Sequence, residues 1–305
     1  MQRISAGSAL AVLLVLAGPA AAQQRRMAPP PPPQPLAAAV RAPIDMLEGR
    51  PTVLVTVNGG GPYRFIVDSG ATSSVVDPAL PAELGLSPVA RALAGDPSGG
   101  PPREVQIYQA SELGVAEGRF HDVRLIGLDD DALWERLGGA RGILSPRFMA
   151  GNLVTFDYAA GELRIAPGAL SDGDGSVPYA DPQRPIPNLE IDVAGHAVSA
   201  DIDSGNKASL SLPIALRDSL SFDGELVADS VRLVTSTMEV QRGRLVGTVR
   251  VAGLEFENPH VELQGGFPFA NLGARFLEGL VLVLDPAAAR LWLGRDAGAA
   301  PGAGT

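Results

Sequence analysis

The twelve residues Phe65–Val76, FIVDSGATSSVV, carry an apolar run straight into Asp-Ser-Gly and then turn apolar again. Read alone, Asp68-Ser69-Gly70 is an ordinary turn, because these three residue types are the usual turn formers. The reading changes at Ala200–Pro213, ADIDSGNKASLSLP, where a second Asp-Ser-Gly (203–205) again ends an alternating segment. The stretches leading into both triplets match in kind. TVLVTVNGGGPYRFIVDSG and NLEIDVAGHAVSADIDSG each read as two strands joined by a tight turn, with a shorter turn expected in the second. Val53, Val55 and Val57 alternate with other residues, as do Leu189, Ile191 and Val193, which is the period of a half-buried strand.

The downstream parts repeat as well. ILSPRFMAGNLVTFDYAAGELRI, from Ile143, aligns without a gap on NLGARFLEGLVLVLDPAAARLWL, from Asn271. Leu144 falls on Leu272, Arg147 on Arg275, Phe148 on Phe276, Gly151 on Gly279 and Asp157 on Asp285. Each copy predicts a short helical turn, a strand, a tight turn at the Asp and another strand. The first copy is longer between triplet and repeat, and DDDALWER, Asp129–Arg136, accounts for the excess as a short helix. The chain is therefore expected to be mostly β, a duplicated β unit with a cleft between two lobes.

A two-fold arrangement of such lobes brings two strand-end carboxylates together. Two carboxyls in contact cannot both ionise, so they share a proton. A water held between them can lose a proton to the ionised member, while the protonated member polarises a carbonyl and later protonates a leaving amine. That chemistry needs no metal and no nucleophilic side chain, and no cofactor is expected. Asp68 and Asp203 are the expected catalytic residues, supported by Ser69, Gly70, Thr72, Ser204 and Gly205. The two serine hydroxyls can bond across the base of the pair. The glycines are expected to let the backbone turn tightly and to offer N–H groups to the carboxylates.

NGGGPYRFIVDSGATSSVV resembles the aspartic peptidases of the retropepsin and pepsin type, in a bacterial two-lobed form. The resemblance extends over roughly residues 45–296. It implies a two-lobed acid-protease fold, an aspartic-type endopeptidase activity and a polypeptide substrate. In that family an apolar-apolar-Gly stretch crosses under the catalytic loop. Asn271-Leu272-Gly273 resembles it with Asn in an apolar place, whereas Ile143-Leu144-Ser145 has Ser for Gly, a change expected to distort the crossing segment. Asn206 replaces the small residue usual after the second triplet. These departures favour an alternative, a catalytically inactive peptide-binding protein of the cell envelope. A hairpin flap is expected only in the first half, with Gly95–Pro102 as its tip. Tyr108 reads more simply as a strand residue than as a flap aromatic.

Composition bounds the rest. The chain has 305 residues, 46% apolar and 19% charged, with 36 Gly and 27 Pro, which suits a turn-dense globular protein. The net charge of −10, with Lys207 the only lysine, argues against nucleic acid or an anionic membrane as partner. The absence of cysteine rules out disulfides, thiolate chemistry and a lipoprotein anchor. The three histidines have no metal-ligand spacing. Residues 1–22 read as a cleavable signal peptide, with Ala20 and Ala22 in the small-x-small positions. A periplasmic or secreted monomer without a stable membrane anchor is expected. The remaining divisions are a Pro-rich linker at 23–44, an N-terminal lobe at 45–168, a linker at 169–185, a C-terminal lobe at 186–296 and a disordered tail at 297–305.

Overall fold

The structure is a computed structural model and describes residues 15–16, 33–95, 102–232 and 237–302. The expected signal peptide, apart from residues 15–16, and the first part of the Pro-rich linker lie outside the described residues. The lobes are two long sheets that share the order of seven strands, joined by a third sheet.

In the N-terminal lobe, Arg50–Val57 pairs with Gly60–Val67, the strand that ends at the first triplet. In the C-terminal lobe, Asn188–Val193 pairs with His196–Asp203. Both turns are two residues long, so the second is not shorter. Asn58-Gly59 and Ala194-Gly195 all have positive φ, the backbone that matches the twist of a tight hairpin. Alternation does what it predicts. Val53, Val55 and Val57 are buried, as are Leu189, Ile191 and Val193, and all belong to one core that runs through both lobes.

Beside each triplet strand runs a crossing strand, parallel to it and antiparallel to the strand that leaves the triplet. Gly142–Leu144 sets Ile143 against Ile66 and Leu144 against Val67. Ala270–Gly273 sets Asn271 against Asp201 and Leu272 against Ile202. Ser145 does not distort this register. Its Oγ donates to the Ala71 carbonyl at 2.6 Å and its N–H donates to Ser74 Oγ at 3.2 Å. In the other lobe the corresponding carbonyl, of Asn206, accepts from Ala274 N, and a Cβ on Gly273 would come within 2.6 Å of that oxygen. The serine thus makes through its hydroxyl a contact that the second lobe makes through backbone.

The repeated segments form the third sheet. Asn152–Asp157 and Val281–Asp285 pair antiparallel with each other, and Thr155 faces Val283, its own counterpart in the repeat. The approximate two-fold axis therefore passes through this pair. Antiparallel pairing of equivalent strands about such an axis is what a self-complementary contact requires.

Three expected boundaries are corrected. Order begins before Asp45: Val40–Pro43 is a strand paired with Glu162–Ile165, and Gln34 bonds to His121 and Ala150. A proline is tolerated there because the strand lies at the sheet's edge. The 169–185 connection is laid onto the C-terminal half. Val177–Pro178 pairs with Arg290 and Leu291, Leu170 N donates to Asp285 Oδ2, and Arg290 pairs with Asp172. The tail is not disordered from 297: Ala297–Ala299 forms a 3-10 turn capped by Asp296, and Ala300 is buried beside Leu153 and Val283.

The helix expected near Asp129–Arg136 is present at Asp131–Arg136. Asp130 caps it by accepting from Leu133 N, and Leu133 and Trp134 fix it over an apolar layer that includes Ile66, Val75 and Ile143. The flap expected in the first lobe corresponds to the paired strands Ala90–Gly95 and Arg103–Val115, and most of the expected tip, residues 96–101, lies outside the described residues. Tyr108 is a buried strand residue whose hydroxyl donates to Gln106. The expectation of a hairpin in one lobe only is corrected: Val227–Arg232 and Thr237–Arg244 form its counterpart in the second. Glycine was the wrong signal to seek, since strand pairing rather than turn composition builds the second hairpin. Among the described residues no helix is long and apolar enough to cross a membrane.

Candidate active site

Each triplet begins where its strand runs out. Asp68 N still donates to the Leu144 carbonyl at 2.8 Å, and the chain then turns, with Ala71 N donating back to Asp68 O and Asn206 N to Asp203 O. The two loops meet at the lobe boundary and are cross-linked four times. Ser69 Oγ donates to Ile202 O at 2.8 Å, and Ser204 Oγ donates to Val67 O at 2.7 Å. In return, Ser69 N donates to Ser204 Oγ at 2.9 Å and Ser204 N to Ser69 Oγ at 3.0 Å. Each hydroxyl is therefore donor and acceptor at once, and the cross-link is reciprocal across the two-fold.

Above this base the carboxyls of Asp68 and Asp203 lie within hydrogen-bond reach of each other, each essentially sealed from solvent at 0% and 2% exposure. The glycines sit where the notional two-fold needs empty space. A Cβ on Gly70 would lie 2.6 Å from Asp203 Cγ, and one on Gly205 would lie 2.3 Å from Asp68 Cγ. Neither glycine has the positive φ that would demand glycine for its backbone, so the reason for them is room for the opposite carboxyl rather than a tight turn. Their N–H groups do serve the carboxylates of their own lobes: Gly70 N donates to Asp68 Oδ1 at 2.8 Å, and Gly205 N supports Asp203. Thr72 is half-buried, and its carbonyl accepts Arg147 Nη1 at 3.1 Å.

The pair is electrically unequal. Burial pushes Asp68 well above the usual carboxylate range, and the charge of Asp203 and the bond between the carboxyls push it further. Burial raises Asp203 too. The Asn271 amide, the hydrogen bond from Asp68 and the N–H groups of Asn206 and Gly205 pull it back. Two residues upstream, Asp201 is buried and paired with Arg184 at 2.5 Å, and burial outweighs the arginine to lift it to about 7.

Sequence reasoning did not single out Arg50. It opens an apolar strand, where a charge usually marks the solvent end, yet it is 2% exposed and its Nε donates to Gly205 O at 2.7 Å. It thereby clasps the second triplet loop from the first lobe, and its charge acts on both Asp68 and Asp203. Arg50→Met is expected to destabilise the protein by about 2 kcal/mol, because it leaves a buried carbonyl without that donor. Denaturant unfolding checks this, and an unchanged midpoint would remove the clasp from the account.

Residues 53–144 match the family model described as Aspartyl protease. No curated protein matches the sequence. Among solved structures the chain is similar to the basic 7S globulin from soybean, with a TM-score of 0.52 and 13% identity over 85% of this chain and 95% of that one. At that identity the likeness is one of fold. Fold and site together define a class, the two-lobed, pepsin-like aspartyl-protease fold with one Asp-Ser-Gly loop from each lobe. Within it, the family match falls on the first lobe, from Val53 through the first triplet to the crossing strand at Leu144.

Proposed function

We propose that this protein is an aspartic-type endopeptidase that hydrolyses peptide bonds with a water activated between Asp68 and Asp203. The observation that supports this most is the meeting of two buried carboxyls, one from each lobe, over a reciprocal serine cross-link. One carboxylate takes the proton of water, the other carboxyl polarises the scissile carbonyl, and the proton then passes to the leaving amine. The cleft between lobes would hold the substrate as an extended strand, with backbone hydrogen bonds along it and side chains in alternate pockets. Both carboxyls come from one chain, so the reading is of a monomer. The leader composition makes it an exported protein, periplasmic or secreted.

The test is peptide or casein cleavage between pH 4 and 7 by the wild type, Asp68→Asn and Asp203→Asn. Each substitution is expected to lower the rate at least about 10³-fold, and the double variant hardly further, because the two act as a unit. Cleavage that survives in either variant overturns the shared-water mechanism. A second reading, peptide binding without turnover, is favoured by the near-complete burial of both carboxyls. Peptide binding by the wild type with no product at any pH in that range would select it.

A further inference from the structure

The lobes correspond around the triplets, and one group of differences gathers beside Asp203. In the first lobe, Ile143 of the crossing strand lies beside Ile66 and Val75, and Ala71 follows the triplet. In the second lobe the same places hold Asn271, Asp201, Ser211 and Asn206. The first layer is apolar and buried under the Asp131–Arg136 helix. The second has no counterpart of Leu133 and Trp134 in the shorter C-terminal repeat, and it is polar.

Two of these residues are linked to each other and to the pair. Ala208 N donates to Asn206 Oδ1 at 3.0 Å, Asn206 Nδ2 donates to Asn271 Oδ1 at 2.8 Å, and Asn271 Nδ2 donates to Asp203 Oδ2 at 3.0 Å. A backbone N–H can only donate, so the first bond fixes which end of the Asn206 amide is the acceptor. That in turn orients Asn271 with its NH₂ toward the carboxylate. Asn206 N adds a donor to Asp203 Oδ1 at 3.0 Å. Asp203 thus has donors on both oxygens. Asp68 has Gly70 N on Oδ1, while its Oδ2 is buried with no donor from the described residues.

We propose that Asn206 and Asn271 are positioning residues that assign the roles within the pair, making Asp203 the carboxylate that accepts the proton of water and Asp68 the carboxyl that carries one. The catalytic half of this statement rests on the peptidase reading; the distribution of charge does not. None of the other charged or titratable groups facing the pair favours Asp203 over Asp68 as the charged member, so the asparagines act against them. Arg50 acts on both carboxyls, on Asp68 the more strongly, and Tyr158 feels both. Asp201 opposes a charge on Asp203 and is held by Arg184. Directed donors favour the charged form of the group they reach, and a chain of them in a buried site strengthens the effect.

The experiment is a carboxyl ¹³C NMR titration of the full chain labelled at aspartate, with Asp68→Asn and Asp203→Asn assigning the signals. In the wild type the lower midpoint is expected at Asp203. Asn271→Leu, which installs an apolar residue as in the first lobe, is expected to move that midpoint upward and to move the acid limb of the kcat/KM profile with it. Asn206→Ala, which restores the residue of the first lobe, is expected to move it in the same direction by less, and it serves if the leucine variant does not fold. A lower midpoint at Asp68, or an Asp203 midpoint unmoved in the folded variants, overturns the proposal. The titration needs no turnover. Shifted midpoints without cleavage would sink the peptidase reading and leave the charge assignment standing, and cleavage with unshifted midpoints would do the reverse.

Discussion

Gly205→Ala is expected to part the two carboxyls and to cost about 3 kcal/mol of stability, at the upper end of what overpacking a close-packed site usually costs. The added methyl would begin 2.3 Å from both Cγ and Oδ2 of Asp68. That carboxyl cannot swing aside as a surface side chain would. It is buried, its Oδ1 is tied to Gly70 N, and its backbone N–H is tied to Leu144 O in the crossing strand. The loop carrying position 205 cannot retreat freely either, because Ser204 is cross-linked to Ser69 and Val67, and Arg50 holds the Gly205 carbonyl. The strain must therefore be relieved by separating the lobes at the pair. The shared proton is then lost, and the Asp68 midpoint is expected to fall toward that of an ordinary carboxyl. A displacement of about 1 Å at a reacting centre costs roughly 10² in rate, so on the proposed peptidase reading cleavage should fall at least that far. Thermal unfolding, the carboxyl titration and the cleavage assay read the three consequences. A stable Gly205→Ala protein with an unshifted Asp68 would show that space for the opposite carboxyl is not what the glycine provides. Gly70→Ala, where the closest approach is 2.6 Å, should behave alike but more mildly.

That glycine illustrates what could be read before the fold was known. The triplets were legible because they are local and occur twice, each at the end of an alternating strand, and the repeat after Ile143 and Asn271 was legible because it aligns without a gap. The cross-bonding serines followed from the two-fold alone. The partnership of Asn206 with Asn271 did not: the residues lie 65 apart, and each by itself is only a departure from a pattern. The same holds for Ser145, whose fit depends on the Ala71 carbonyl, 74 residues away. Arg50 was missed because a strand's first residue is normally wet, and only the second lobe's loop closes over it. Val40–Pro43 was hidden by the prolines around it, which exclude helix and central strand but not an edge. In each of these cases the deciding contact is long-range, and no local period encodes it.

The buried carboxyls also set how stability depends on pH, and here the expected effect is large and of unusual sign. An unfolded aspartate titrates near pH 3.9. In the folded protein Asp68 is well above its ordinary value, Asp203 is raised, and Asp201 is lifted to about 7. All three shifts have burial as their first cause. A group whose folded value is raised binds its proton more tightly when folded. Its contribution is therefore fully present below the unfolded value and is lost as pH rises through the folded one, at a limiting slope of about 1.4 kcal/mol per pH unit for each proton. Stability should thus be greatest in mild acid and fall through neutrality, with a distinct loss up to about pH 7 from Asp201. Asp68→Asn removes the need to bury a second charge beside Asp203 and supplies an amide that can donate to it. At pH 7.5 the variant should melt several degrees above the wild type, taking roughly 2–4 °C per kcal/mol for a chain of this size class. Near pH 4, where the wild-type pair holds its proton, the two melting temperatures should converge. Asp201→Asn should flatten the curve only up to about pH 7, and by less, since Arg184 loses its partner while keeping the face of Phe269 at 4.5 Å. Melting curves of the three proteins from pH 4 to 8 decide the matter. If wild-type stability rises across that range, or if Asp68→Asn melts below the wild type at pH 7.5, the carboxyls are not held as a proton-sharing pair.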